Sequence, residues 1–129
     1  MSKLDLSRPT DAELAILRVL WQHGESTVRQ VHDVLNQDRG TGYTTVLKLM
    51  QIMTEKGLVE RDESERTHVY QARLTKEQTQ RQLVGHLLDK AFGGSASQLV
   101  MQALAAKPAS ADELARIRQL LDELEGGRK

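Results

Sequence analysis

With 129 residues, the chain has room for one compact domain and a smaller appendage, which is too little for a large enzyme. It contains no cysteine, which excludes disulfides, thiolate metal sites and thiol redox chemistry, and its only aromatic residues (Trp21, Tyr43, Tyr70 and Phe92) leave little for a large apolar pocket. Eighteen basic and eighteen acidic side chains give a formal net charge of zero, so any case for a nucleic-acid partner rests on where charges sit.

The opening segment Met1-Ser2-Lys3-Leu4-Asp5-Leu6 lacks the apolar stretch of a secretory signal, and no run of about 18 apolar residues follows. A cytoplasmic protein without a membrane partner is expected. Thr10-Asp11-Ala12-Glu13 is a capping-box pattern that opens a first helix over 11–23, with Leu14, Leu17 and Trp21 at helical spacing and Gly24 as a left-handed stop. Thr27-Val28-Arg29-Gln30 repeats the pattern for a short second helix carrying Val28, Val31 and Leu35 and ending near Asn36. After a turn-rich stretch from Gln37 to Gly42, Val46, Leu49, Met50 and Met53 form one apolar stripe. Lys56 and Gly57 then end a third helix over 43–56.

Beyond Gly57 the period changes to two. Leu58–Arg61 and Thr67–Arg73, separated by the polar turn Asp62–Arg66, predict a β-hairpin. Three helices followed by a hairpin is the winged-helix order, in which the third helix enters a major groove and the hairpin flanks it. A fourth helix is expected from Thr75 to Ala91, broken by Phe92-Gly93-Gly94. A fifth carries Leu99, Val100, Ala103 and Leu104, and a sixth opens on the capping box Ser110-Ala111-Asp112-Glu113. The expected fold class is mainly α with a small β-hairpin: a winged helix-turn-helix domain over 1–74 and a C-terminal helical dimerisation region over 75–129.

If the apolar stripe of the third helix faces inward, rotation of about 100° per residue places Thr44, Lys48, Gln51 and Glu55 outside, with Leu47 and Ile52 flanking. From Arg39 to Thr54 no carboxylate occurs, so the approach of phosphate is not opposed there. Thr44, Thr45, Lys48 and Gln51 have the donors and acceptors to read base edges, Leu47 the methyls to touch thymine, and Tyr43 joins them at the start of the helix. Thr27, Arg29 and Arg66 are the candidate phosphate contacts, Arg66 from the hairpin tip, where Asp62, Glu63 and Glu65 weigh against it. The plainer alternative is a solvated helix face beside a hairpin that merely covers the core with Tyr70, Ala72 and Leu74.

The histidines (His23, His32, His68 and His86) show no ligand spacing, and isolated surface or cap positions explain them better than a metal site. No phosphate loop or catalytic triad motif is present, so neither an enzyme nor a cofactor is expected. Leu83, Leu87, Leu99, Leu104, Leu114, Ile117, Leu121 and Leu124 on the last three helices predict a shared core between two copies, with packing onto the first helix as the intrachain alternative.

Several segments together resemble the penicillinase-repressor family, the BlaI/MecI/CopY group of winged-helix repressors. They are Thr10-Asp11-Ala12-Glu13 with Leu17-Arg18-Val19-Leu20-Trp21, Thr27-Val28-Arg29-Gln30-Val31, Tyr43-Thr44-Thr45-Val46-Leu47-Lys48-Leu49-Met50, Glu55-Lys56-Gly57-Leu58-Val59 and His68-Val69-Tyr70. The resemblance runs from about Ser7 to the C-terminus. It implies a homodimeric repressor on a pseudo-palindromic operator, with recognition positions at Thr44, Thr45, Leu47 and Lys48.

Where relatives often carry further basic side chains, this chain has Thr44, Leu47 and Ile52. In the beta-lactam-responsive members a membrane sensor protease cuts an Asn-Phe junction in the fifth helix; the matching position here is Gln102-Ala103. Copper-responsive members use a cysteine-rich tail that this chain lacks, so neither inducing signal carries over. The competing functions are a winged-helix protein-interaction module without DNA binding, which suits the zero net charge, and a regulator that binds a small effector.

Overall fold

The computed structural model describes residues 8–127, so the first seven residues of the expected N-terminal domain lie outside it. The chain divides into two compact units, Met1–Val84 and Gly85–Lys129. Among the described residues no helix is long and apolar enough to cross a membrane.

The first helix, α1 (Asp11–His23), starts where its capping box closes: the Glu13 amide donates to Thr10 Oγ1 (3.2 Å) and the Thr10 amide to Glu13 Oε1 (2.9 Å). Each such cap contributes about 1 kcal/mol by satisfying amides that have no partner within the helix. Gly24 ends α1 at φ 81° and ψ −162°; its φ is positive as expected, but the conformation is the extended one open to glycine alone rather than left-handed helical.

Helix α2 (Val28–Arg39) has the same reciprocal cap, between Thr27 and Gln30, but runs past the expected end at Asn36. Gly40 is the first glycine after the start of α2 and takes the left-handed C-cap conformation, at φ 62° and ψ 28°, and its amide reaches back to the Asn36 carbonyl. The connection to α3 (Tyr43–Lys56) is therefore only Gly40, Thr41 and Gly42. Gly57 closes α3 at φ 80° and ψ 17°, and a Cβ there would also stand 3.1 Å from the Arg73 guanidinium.

Strands β1 (Val59–Asp62) and β2 (Val69–Ala72) pair antiparallel, with Val59 opposite Ala72 and Arg61 opposite Tyr70. These pairs share the face on which Val59 and Tyr70 are buried, while Gln71 on the other face donates to Glu60 (3.4 Å). Ser26, between α1 and α2, adds an exchange of two backbone hydrogen bonds with Tyr70 (3.0 and 2.8 Å) on the free edge of β2. That bridge ties the hairpin to the helices. A second tie is the Trp21 indole, which donates to the Leu74 carbonyl (3.0 Å).

The core of the first unit is Ile16, Leu17, Val19 and Leu20 of α1, Val28 and Val31 of α2, Val46, Met50 and Met53 of α3, then Leu58, Val59 and Tyr70. Leu49 packs against it half-buried, so the apolar stripe read from α3 faces inward as expected. The architecture is mainly helical with a small hairpin, a winged helix followed by further helices.

Those helices are α4 (Lys76–Ala91), α5 (Ala96–Ala106) and α6 (Ala111–Gly126), each opened by a side-chain cap, from Thr75, Ser95 and Ser110. Helices α5 and α6 have no buried residue.

Candidate nucleic-acid interface

The core fixes which side of α3 faces outward. With Val46, Met50 and Met53 buried, the 3.6-residue period leaves Thr44, Thr45, Lys48 and Gln51 exposed, and Leu47 half-buried at the rim of the core. Gly42 provides no side-chain cap, so the first amides of α3 point outward without a side-chain acceptor. That end of the helix is electropositive.

Beside this face lies a concavity of about 490 Å³ lined by Thr27, Val28, Arg29, Tyr43, Leu47, Arg66, Thr67, His68 and Tyr70. It joins the start of α2, the start of α3 and the far side of the hairpin. Five of the residues expected to touch DNA (Thr27, Arg29, Tyr43, Leu47 and Arg66) line this one surface, while Thr44, Thr45, Lys48 and Gln51 occupy the outward face of α3 next to it. No carboxylate is among the lining residues. The other concavities described on this unit all include acids: Glu25 and Glu77 in one, Glu25, Glu60 and Asp62 in another, Glu25 and Asp33 in a third. Of these, this concavity is the one suited to an anion.

Local contacts explain its charge. At the hairpin tip, Asp62 accepts the Ser64 amide (2.9 Å), which holds its carboxyl below the usual carboxylate range. Glu63 is taken by Arg61, whose Nη2 and Nε lie 2.7 and 2.9 Å from Glu63 Oε2. The Tyr70 hydroxyl and Glu63 together raise the pKa of Arg61 above the ordinary arginine value. Two of the three tip acids that weighed against a wing contact are thus engaged within the hairpin, whereas among the described residues no carboxylate pairs with Arg66, Arg29 or Lys48. Thr27 Oγ1 accepts the Gln30 amide (3.1 Å), which leaves its hydroxyl proton free to donate outward.

At the entrance, the Arg29 guanidinium carbon lies 5.4 Å from the centroid of the Tyr43 ring, and His32 meets the same ring edge-on at 5.8 Å and 76°. Sequence reasoning placed His32 among isolated surface histidines. Its side chain is instead only 19% exposed, with the ring of Tyr43 from the next helix against it and the Asp33 carboxylate 3.5 Å from Nδ1. Thr67 and His68 also line the concavity; the lack of acids from Arg66 to Lys76 was the signal available for them.

The penicillinase repressor profile matches residues 9–123. The chain belongs to the penicillinase repressor family. A relative named transcriptional regulator BlaI, from Mycobacterium tuberculosis, is 32% identical over 123 residues, which covers 95% of this chain and 88% of the relative. The penicillinase repressor of Bacillus licheniformis is 21% identical, with 93% and 94% of the two chains covered. The family is one of transcriptional regulators rather than enzymes.

Two solved structures share the fold. The DNA-binding domain of the repressor BlaI superposes with a TM-score of 0.50 at 21% identity, covering 55% of this chain and 87% of that one. The complex structure of hsRosR-S4 gives 0.53 at 17% identity, covering 99% and 100%.

The C-terminal helices carry a different kind of surface. Of the residues expected to dimerise, Leu87, Leu121 and Leu124 are about half exposed (46, 52 and 56%), whereas Leu83, Leu99, Leu104, Leu114 and Ile117 are partly buried within the protomer. Val84, Val100, Met101 and Leu120 are also exposed. None of these four is in the set expected from the sequence, although Val100 belongs to the apolar stripe of its helix.

Proposed function

We propose that the protein is a sequence-specific DNA-binding transcriptional repressor that works in the cytoplasm as a homodimer on a pseudo-palindromic operator. In this reading residues 1–74 bind DNA and residues 75–129 dimerise. Thr44, Thr45, Lys48 and Gln51 read base edges from α3, Leu47 meets a thymine methyl, and Thr27, Arg29 and Arg66 engage the backbone, with Tyr43 at the same surface against Arg29. The observation that carries it is the acid-free concavity that flanks the outward polar face of α3 in a chain of zero net charge.

The dimer is supported by the apolar side chains left in solvent on α4, α5 and α6. Isolated exposed leucines are ordinary, but Leu120, Leu121 and Leu124 on one helix together with Val100 and Met101 on another are more than a free protomer accounts for. A two-fold dimer presents two copies of α3 to half-sites a whole number of helical turns apart. Gln102 and Ala103 are exposed on α5, but they carry neither the Asn nor the Phe of the protease junction, so a sensor protease is not part of the proposal.

The test is Lys48→Ala in the full chain, assayed against its own upstream DNA and a panel of single-base variants. Loss of affinity together with relaxed preference at one or two base pairs supports α3 as the reading helix. Unchanged affinity and unchanged preference would remove it from the groove.

A further inference from the structure

We infer that Tyr43, braced by His32, is a positioning residue that holds the Arg29 guanidinium over the acid-free concavity, where it meets a phosphate of the DNA backbone. The inference rests on the DNA-binding reading above and assigns to Tyr43 and His32 a task distinct from base contact.

Three observations carry it. The Arg29 guanidinium sits 5.4 Å from the ring centroid of Tyr43, within the range of about 6 Å at which the ring quadrupole attracts a cation. Arg29 and His32 are three residues apart on α2, so both side chains reach Tyr43 from the same face of that helix, one over the ring and one against its edge. Arg29 also has no carboxylate partner among the described residues, while Arg61 on the hairpin does. Among the described residues, the Tyr43 ring is the one group seen to hold the Arg29 guanidinium.

A long arginine side chain loses substantial rotamer freedom when it binds phosphate, and a ring that holds it beforehand removes part of that cost. Stacking leaves the N–H donors around the edge of the guanidinium free, so the same group can lie on Tyr43 and donate to phosphate oxygens. Arg66 lines the same concavity from the hairpin. Two cations from two elements thus converge where Thr27 supplies a hydroxyl.

The experiment uses the full chain with two probes, a random-sequence duplex at low salt and the chain's own upstream DNA, because a phosphate contact acts on both. Arg29→Ala is expected to weaken both by about tenfold and to lower the slope of log affinity against log salt by about 0.9. Tyr43→Leu is expected to weaken both by about two- to fivefold, and His32→Ala to act in the same direction. Tyr43→Phe keeps the ring and should bind as the wild type does.

The decisive measurement is the double-mutant cycle: in the Arg29→Ala background, Tyr43→Leu should have no further effect. Thermal melting of each variant separates a folding defect from lost positioning. The inference is overturned if Tyr43→Leu costs the same with and without Arg29, or if Tyr43→Phe is as weak as Tyr43→Leu, which would make the hydroxyl a direct contact. A wild-type chain that binds neither duplex overturns the DNA reading itself and this inference with it.

Discussion

The Lys56 ammonium, in the last turn of α3, lies 2.6 Å from the carboxylate of Glu13, in the first turn of α1. Glu13 is 3% exposed, and the same oxygen accepts the amide of Thr10, so one buried carboxylate both caps α1 and anchors the far end of α3. The proposed reading helix is therefore held by this pair at its C-terminal end and by the core along its length. Removing the carboxylate leaves a quarter-exposed ammonium without its ion-pair partner and takes away the half of the α1 capping box that Glu13 supplies, while the Thr10 hydroxyl still accepts the Glu13 amide. Glu13→Ala should cost about 2–3 kcal/mol in urea or thermal unfolding, and Glu13→Gln, which keeps an oxygen for the Thr10 amide, should cost less. Equal stability of Glu13→Ala and the wild type would show that the pair contributes nothing net.

Leu121 is 52% exposed in the protomer and belongs to the face assigned to the dimer. Leu121→Glu should leave helical content unchanged, since the substitution falls on an exposed helix position, while shifting the sedimenting species from dimer to monomer. Operator affinity should fall with it, because two half-sites are then no longer engaged together. A variant that sediments as the wild type does would move the contact away from this face of α6.

The cap of α6 gives a pH dependence of known sign. The Glu113 carboxylate accepts the Ser110 amide (3.0 Å), and that hydrogen bond, aided by Arg116 and Lys107, holds its pKa below the usual glutamate value. A carboxyl depressed by folding adds stability above its unfolded pKa of about 4.3 and loses that contribution as pH falls through the lower folded value. The N-terminal turn of α6 should accordingly fray as pH falls below about 4, and Glu113→Gln should remove this part of the dependence. A Glu113 titration by NMR at the ordinary glutamate value would contradict it.

How far the fold could be read from the sequence depended on whether the deciding interaction was local. Helices α1 and α3 start and stop where Thr10, Glu13, Gly24, Gly42 and Gly57 indicate, because caps and glycine stops are written within a few residues of the ends they make. The end of α2 was misplaced by one turn-rich stretch: Gln37, Asp38 and Arg39 all tolerate a helix, and the backbone waits for Gly40. The bridge between Ser26 and Tyr70 and the pair between Glu13 and Lys56 join residues more than forty positions apart, with no local pattern to announce either. In the candidate site, the exposed face of α3 follows from periodicity alone. Its convergence with Thr27, Arg29 and Arg66 required the tertiary fold, and so did the edge-on contact of the partly buried His32 with Tyr43.

The central claim is that this surface binds DNA by sequence. It is tested most directly by an anisotropy titration of the purified chain against its own upstream DNA, with random duplex as competitor, at two salt concentrations. The account predicts selective binding whose affinity falls steeply with salt, as counterions are released from each neutralised phosphate. Equal, weak and salt-insensitive binding to both duplexes would contradict it and leave the surface as a site for a protein partner.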